Sequence, residues 1–287
     1  MPDPKAPWWR LVQGILSHAR REPALLLPFD WVKRQVGIKA WRYPGLQEVE
    51  IGKIVGSVNR YQDFDRAFLP RQGRSPRLRQ IEEAWERGEL LPPVRLYKIG
   101  DAYFVEDGHH RVAAARRAGA RSIEAEVVEF VPTVPVSATD TPRDILIKAE
   151  YAAFLAQTKL DCLRPEQEIL FSELGKYKIL LEHISVHRYF LGIEQGREVL
   201  YEEAVASWYD RVYRPLVEVF RRTEALAHFP GRTEADLYVW VSEHLHYLRE
   251  AYGPEVDLAG AVEDYVHRFG IPDDRRKAEG KRNSPGL

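Results

Sequence analysis

Hydrophobic and polar positions alternate in two different rhythms along this chain. Between Leu46 and Phe130 the apolar residues come in short runs, separated by Gly- and Asp-containing turns, as strands do. Val49-Glu50-Ile51 and Lys53-Ile54-Val55 read as strand, and Ile81 to Arg87 as a helix stopped by Gly88. Val94–Ile99 and Ala102–Glu106, joined by Gly100-Asp101, read as a hairpin. A helix from His109 to Arg117 ends at Gly119, and Ser122 to Val128 is a closing strand. Beyond Pro142 the rhythm changes to three- and four-residue spacing. It predicts helices over Arg143–Gln157, Ser172–Leu191, Tyr201–Ala227 and Glu234–Tyr252, with a shorter one over Asp257–Phe269. Pro215 should kink or break the third of these.

The implied class is α+β: a small mixed sheet with helices, followed by an all-α domain. The expected organisation is a helical arm over 1–45, a sheet domain over 46–132, a linker over 133–142, a helical domain over 143–271 and a charged, disordered tail over 272–287. In the arm, Trp8, Trp9, Leu11, Val12, Ile15 and Leu16 recur at helical spacing before Pro23 interrupts. Trp31, Val32 and Val36 predict a second helix ending at Gly37. Such an arm suits packing on a neighbouring domain or self-association.

Composition narrows the function classes. The chain has 287 residues, 42 Lys and Arg against 43 Asp and Glu, so a nucleic-acid role must rest on a local patch rather than on overall charge. The single cysteine, Cys162, excludes an internal disulfide framework and a four-thiolate zinc site. The apolar run Ala24 to Phe29 is far too short to span a bilayer, so no membrane partner is expected and a reducing cytoplasm is the simplest location.

Candidate chemistry concentrates at Asp107-Gly108-His109-His110-Arg111, where a strand turns sharply into a helix. The first N–H groups of a helix lack intrahelical acceptors and carry the positive end of its dipole. Gly108 removes a side chain where an oxyanion would approach the backbone. His109, His110 and Arg111 add donors in the first turn. Asp107 also suits a plain N-cap, with the three basic residues solvated. Successive cations oppose the helix dipole there, which favours an anion as their reason.

This string, preceded by a hairpin and followed by Ala113-Ala114-Ala115-Arg116-Arg117-Ala118-Gly119, resembles the phosphate-binding signature of the ParB/sulfiredoxin superfamily. Glu48-Val49-Glu50-Ile51-Gly52-Lys53-Ile54 and Ser57-Val58-Asn59-Arg60 are similar to that family's first strand and polar loop. The resemblance implies that Gly108, His109, His110 and Arg111 hold nucleotide phosphates, with Asp107 at the turn and Ser57, Asn59 and Arg60 lining the facing loop. It implies a nucleoside di- or triphosphate (ATP, ADP or CTP) with Mg²⁺. Sulfiredoxin chemistry needs a cysteine in the signature, where this chain has His109. Partition proteins usually carry Gly-Glu-Arg-Arg; Gly-His-His-Arg is closer to the kinase-like members.

Three functional readings follow. The first is a nucleotide-dependent switch or binding module. The second is a small-molecule kinase or NTPase, for which Glu48, Glu50, Asp63, Asp65, Glu106 and Asp107 are candidate bases, Asp63 and Asp65 being the catalytic choice from their place in the loop. The third is a DNA-associated protein using Arg71, Arg74, Arg77, Arg79, Arg116, Arg117 and Arg121.

In the helical half, His183 and His187 stand one turn apart, half of a metal site by spacing, with Glu243, His244 and His246 as a second cluster. Without a third defined ligand, partly buried polar residues are the simpler reading, and no metal is assigned. This half resembles a helical domain that accompanies ParB-like modules in some bacterial proteins, and no recognisable helix-turn-helix is present.

Overall fold

The computed structural model describes residues 25–271 except 72 and 74. It is an α+β protein that divides into two compact units, residues 1–152 and 153–287. The first is built on a six-stranded mixed sheet in the order β1-β3-β5-β4-β6-β2. Its elements are β1 (Leu27–Pro28), α1 (Phe29–Val36), β2 (Ile38–Glu50), β3 (Ile54–Ser57), α2 (Pro76–Glu86), β4 (Val94–Ile99), β5 (Ala102–Asp107), α3 (His109–Arg117) and β6 (Ser122–Pro132).

Period-two alternation gives the central strand β5 two buried faces. On β5, Tyr103 and Val105 enter the core shared with Leu78, Val112 and Ala113 to Ala115 of α2 and α3. Phe104 points the other way, where its ring meets Phe29 of α1 at 5.5 Å, beside Tyr97 and Phe130. Each such buried ring contributes roughly 1.5–3 kcal/mol. The alanines of α3 let that helix lie close on the sheet, which sets where its N-terminus emerges.

The described part of the expected arm is built into this unit. β1 pairs in parallel with β3, α1 covers one sheet face, and β2 begins at Ile38, pairing along β6 as far as Glu50. A domain start at 46 therefore falls inside a strand, hidden in the sequence because the other edge of β2 is exposed and its apolar residues do not alternate. The helix ending at Gly37 is as expected. Trp8 to Leu16 and the tail lie outside the described residues.

The 133–142 segment is not a free linker. Asp101 N–H donates to the Val136 carbonyl at 2.8 Å, and buried Asp140 accepts from Ser137 N–H and the Lys148 ammonium. These bonds tie the first turns of α4 (Pro142–Thr158) to the sheet unit, so the division falls within that helix.

The second unit contains α5 (Leu160–Leu163), α6 (Tyr177–Gln195), α7 (Tyr201–Trp208), α8 (Arg214–Arg222), α9 (Glu234–Tyr252) and α10 (Leu258–Phe269). Trp208, Tyr238, Phe154 and Phe220 are its largest fully buried side chains. Pro215 acts as expected: α7 widens into a π turn over Tyr209–Tyr213, and α8 restarts with the proline in its first turn. The wider turn absorbs the N–H that proline lacks. Thr233 and Asp236 form a reciprocal capping box on α9.

Candidate functional site

Parallel strands β3 and β5 end side by side, with Ser57 in register with Val105. β5 then turns at Gly108, whose φ of 98° and ψ of 22° are left-handed, and α3 starts at His109. A β-carbon at Gly108 would stand 2.6 Å from Val94 Cγ1, so both conformation and crowding demand glycine. No side chain among the described residues caps α3, and its first turn carries no acidic residue. The outward N–H groups of that turn are thus left to the corner in front of them.

Ser57 is fully buried and binds His109 Nε2 at 2.7 Å, while accepting the Arg60 N–H at 2.9 Å. His109, itself buried, stacks on Phe64 with centroids 5.4 Å apart and leans on Phe68. Burial, aided by the Arg60 guanidinium, holds its imidazole down at about 4, so the ring is neutral at pH 7. His110 packs edge-on to Phe64; its Nδ1 is buried and has no hydrogen-bond partner among the described residues. Burial and then Arg60 and Arg77 lower its pKa as well. Arg60 lies over the Phe64 ring at 5.0 Å and pairs with Asp63 at 2.8 Å. Asn59 is exposed beside it.

The remaining candidates separate from this group. Arg111 is half-buried: it pairs with Asp107 at 2.6 Å and donates to the carbonyls of Pro92 and Pro93, the latter at 2.7 Å. It clamps the corner to the Pro92-Pro93 segment rather than facing the open side. A depression of about 580 Å³ borders it, lined also by Glu48, Trp85, Leu91 and Glu124. Asp65 shapes the loop, accepting the Leu69 N–H at 2.8 Å. Glu106 lies against Arg95, and Glu48 accepts from the Ser122 hydroxyl.

The arginines considered for DNA also divide. Arg116 donates to the carbonyls of Ile51, Ile54 and Arg66 and covers the Phe68 ring, so it pins the 58–70 loop to the sheet. Arg117 pairs with Glu82. Arg77, Arg79 and Arg121 are exposed, and Arg74 lies outside the described residues. Sequence reasoning missed Phe64 and Phe68; their four-residue spacing within a polar loop was the available signal.

Three histidines considered as metal ligands in the helical unit have ordinary partners, and His246 is exposed. His183 Nδ1 meets Tyr238 Oη at 3.0 Å, His187 Nε2 meets Ser207 Oγ at 2.9 Å, and His244 Nε2 meets Asp264 at 2.7 Å. Among the described residues no three His, Cys, Asp or Glu side chains gather as metal ligands. None of the described helices is long and apolar enough to cross a membrane.

The fold and corner define a class: a mixed-sheet α+β unit presenting an uncapped helix N-terminus to an aromatic-backed polar loop. Comparison with known proteins finds no matching family model and no matching curated protein. Among solved structures, sulfiredoxin from Arabidopsis thaliana is similar at 17% identity, over 31% of this chain and 89% of that one, with a TM-score of 0.23. The pNOB8-like ParB N-domain is similar at 10% identity over 87% of this chain and 99% of that one, with a TM-score of 0.22. A second crystal form of that domain gives 10% identity, 86% and 100% coverage, and 0.21.

Proposed function

We propose that the sheet unit is a ParB/sulfiredoxin-like module that binds a nucleoside di- or triphosphate, its phosphates at the N-terminus of α3, and works as a nucleotide-dependent binding module or switch. The observation that carries this reading is the first turn after left-handed Gly108, with no side-chain cap and no partner for His110 Nδ1 among the described residues. An anion there would accept backbone N–H bonds, gain from the helix dipole and meet the Arg60 guanidinium from the facing loop. Ser57 and His109 would form the floor of the site rather than ligate, because each already holds the other. Arg111 and Asp107 would hold the corner's shape. Mg²⁺ would be bound chiefly through the phosphates and one carboxylate, as is usual for that ion, with Asp63 the exposed acid closest to the loop arginine.

A kinase or NTPase reading rests on the same Asp63, which would have to leave Arg60 to accept a proton. Its ion pair, and the loop-shaping role of Asp65, favour binding without transfer. The test is calorimetric titration of ATP, ADP and CTP with Mg²⁺ into the wild type, His110→Ala and Arg60→Ala. Micromolar binding weakened at least about tenfold in both variants is expected, for about 1.4 kcal/mol per lost charge-assisted contact. No binding of any of the three would sink the proposal. Phosphate release or transfer that disappears in Asp63→Asn would replace the switch with the enzyme.

A further inference from the structure

Helix α6 carries an apolar stripe that no other described residue covers. Tyr177, Leu180, Ile184 and Leu191 are buried on one face. On the opposite face Val186, Tyr189, Phe190 and Ile193 are 56, 67, 61 and 63% exposed. Spacings of three, one and three place them in a single row, as in the seam of a helix pair. Monomeric surfaces scatter such residues singly, and a contiguous row of four marks an interaction site.

The occupant follows from the symmetry of the row. Read backwards, its spacing is unchanged, so a second copy laid antiparallel across a two-fold axis sets Val186 against Ile193 and Tyr189 against Phe190 in both directions. The same register brings Glu182, exposed at the head of the stripe, against Arg197, which stands just past the α6 C-cap Gly196 and is half-exposed beside Glu203. It also brings Ser185 against Glu194. Apolar faces and charges are therefore both self-complementary in one arrangement. The four side chains offer on the order of 500 Å² per subunit, short of the roughly 800 Å² of a standard interface, so the affinity should be micromolar.

We infer that α6 is a homodimer interface, two copies of this chain pairing antiparallel through Val186, Tyr189, Phe190 and Ile193. Sedimentation velocity of the full chain from about 1 to about 100 µM should show a monomer–dimer equilibrium. Phe190→Glu should weaken it at least about 30-fold while leaving the circular dichroism melt unchanged. Glu182→Arg should weaken it too, and adding Arg197→Glu should restore it. Geometry is read by crosslinking in a Cys162→Ser background, since Cys162 is exposed. Mixed Val186→Cys and Ile193→Cys chains should form a heterodisulfide, and Val186→Cys alone should not. A monomer throughout that range would overturn the inference, leaving the face to another part of this chain or a different protein. A dimer indifferent to Phe190→Glu, or a Val186→Cys self-crosslink, would overturn it equally.

Discussion

Each unit contains a buried or half-buried histidine bonded to a hydroxyl, and the two pairs do different work. In the sheet unit His109 meets Ser57 at 2.7 Å; in the helical unit His183 meets Tyr238 at 3.0 Å. The second pair is surrounded by core: Tyr238 also accepts the Trp208 indole N–H at 3.2 Å and is itself wholly buried. Its hydroxyl is shared between His183 and Trp208, and the helix that carries it starts with the Thr233 capping box. The first pair stands where two strands end and a helix begins, with no side-chain cap and, next to it, an imidazole nitrogen without a partner among the described residues. A buried histidine alone therefore says little. What distinguishes a candidate site is the unsatisfied backbone and side-chain polarity collected around it.

The sharpest test of this contrast uses two left-handed glycines. At Gly108 an added β-carbon collides with Val94, whereas at Gly231 of the helical unit nothing lies within 4 Å. Gly108→Ala should cost about 3–4 kcal/mol in chemical denaturation, from strain plus overpacking, and Gly231→Ala only about 1 kcal/mol. Equal costs would show that the corner is less constrained than its geometry states.

Next in size is the pH dependence. His109 is held at about 4 against an ordinary value of 6.5, so the unfolded chain binds the proton first as pH falls. Stability should therefore be full above pH 6.5 and decline between 6.5 and 4, by about 3 kcal/mol from this residue. His110, His183 and His187 are shifted in the same direction and add to the slope. His109→Gln should flatten urea midpoints measured across that window; an unchanged slope would place the effect in His110, His183 or His187 instead.

Removing the hydroxyl of either pair should cost about 1–3 kcal/mol, because a buried partner is left unsatisfied. Ser57→Ala should also weaken nucleotide binding, since Ser57 accepts the Arg60 N–H that starts the facing loop. Tyr238→Phe should leave binding untouched. Similar calorimetric losses in both would erase the distinction between site and core. The smallest effect expected is that of Thr233→Ala, which removes the capping box of α9 for about 1 kcal/mol and should not alter binding at the corner.

How much of this was legible beforehand varied by element. α3 and α9 were readable to the residue and the hairpin to within one, because each is bounded by a local device: the Gly108 reversal, the Thr233 cap, and Gly100 in its turn. β2 was not, since an edge strand with one exposed side lacks the alternation that marks a half-buried one. Ser57, Arg60 and His109 are expected around a phosphate and Asp63 as a base; the structure bonds Ser57 to His109 and to the Arg60 N–H, and pairs Arg60 with Asp63. Arg111 was foreseen as a phosphate ligand, yet Pro92 and Pro93 present it with two carbonyls from a segment distant in sequence.

The sequence by itself determined the α+β class, the bounds of α3, α4, α9 and α10 to within a residue and the turn at Gly108, because propensity, capping and φ > 0 act over a few neighbouring residues. The tertiary structure alone decided which polar groups remain available. Arg116 and Arg111 are drawn off to carbonyls, Asp65 to its own loop, and Ser57 to His109, through contacts between segments that only the packed sheet brings within hydrogen-bond reach.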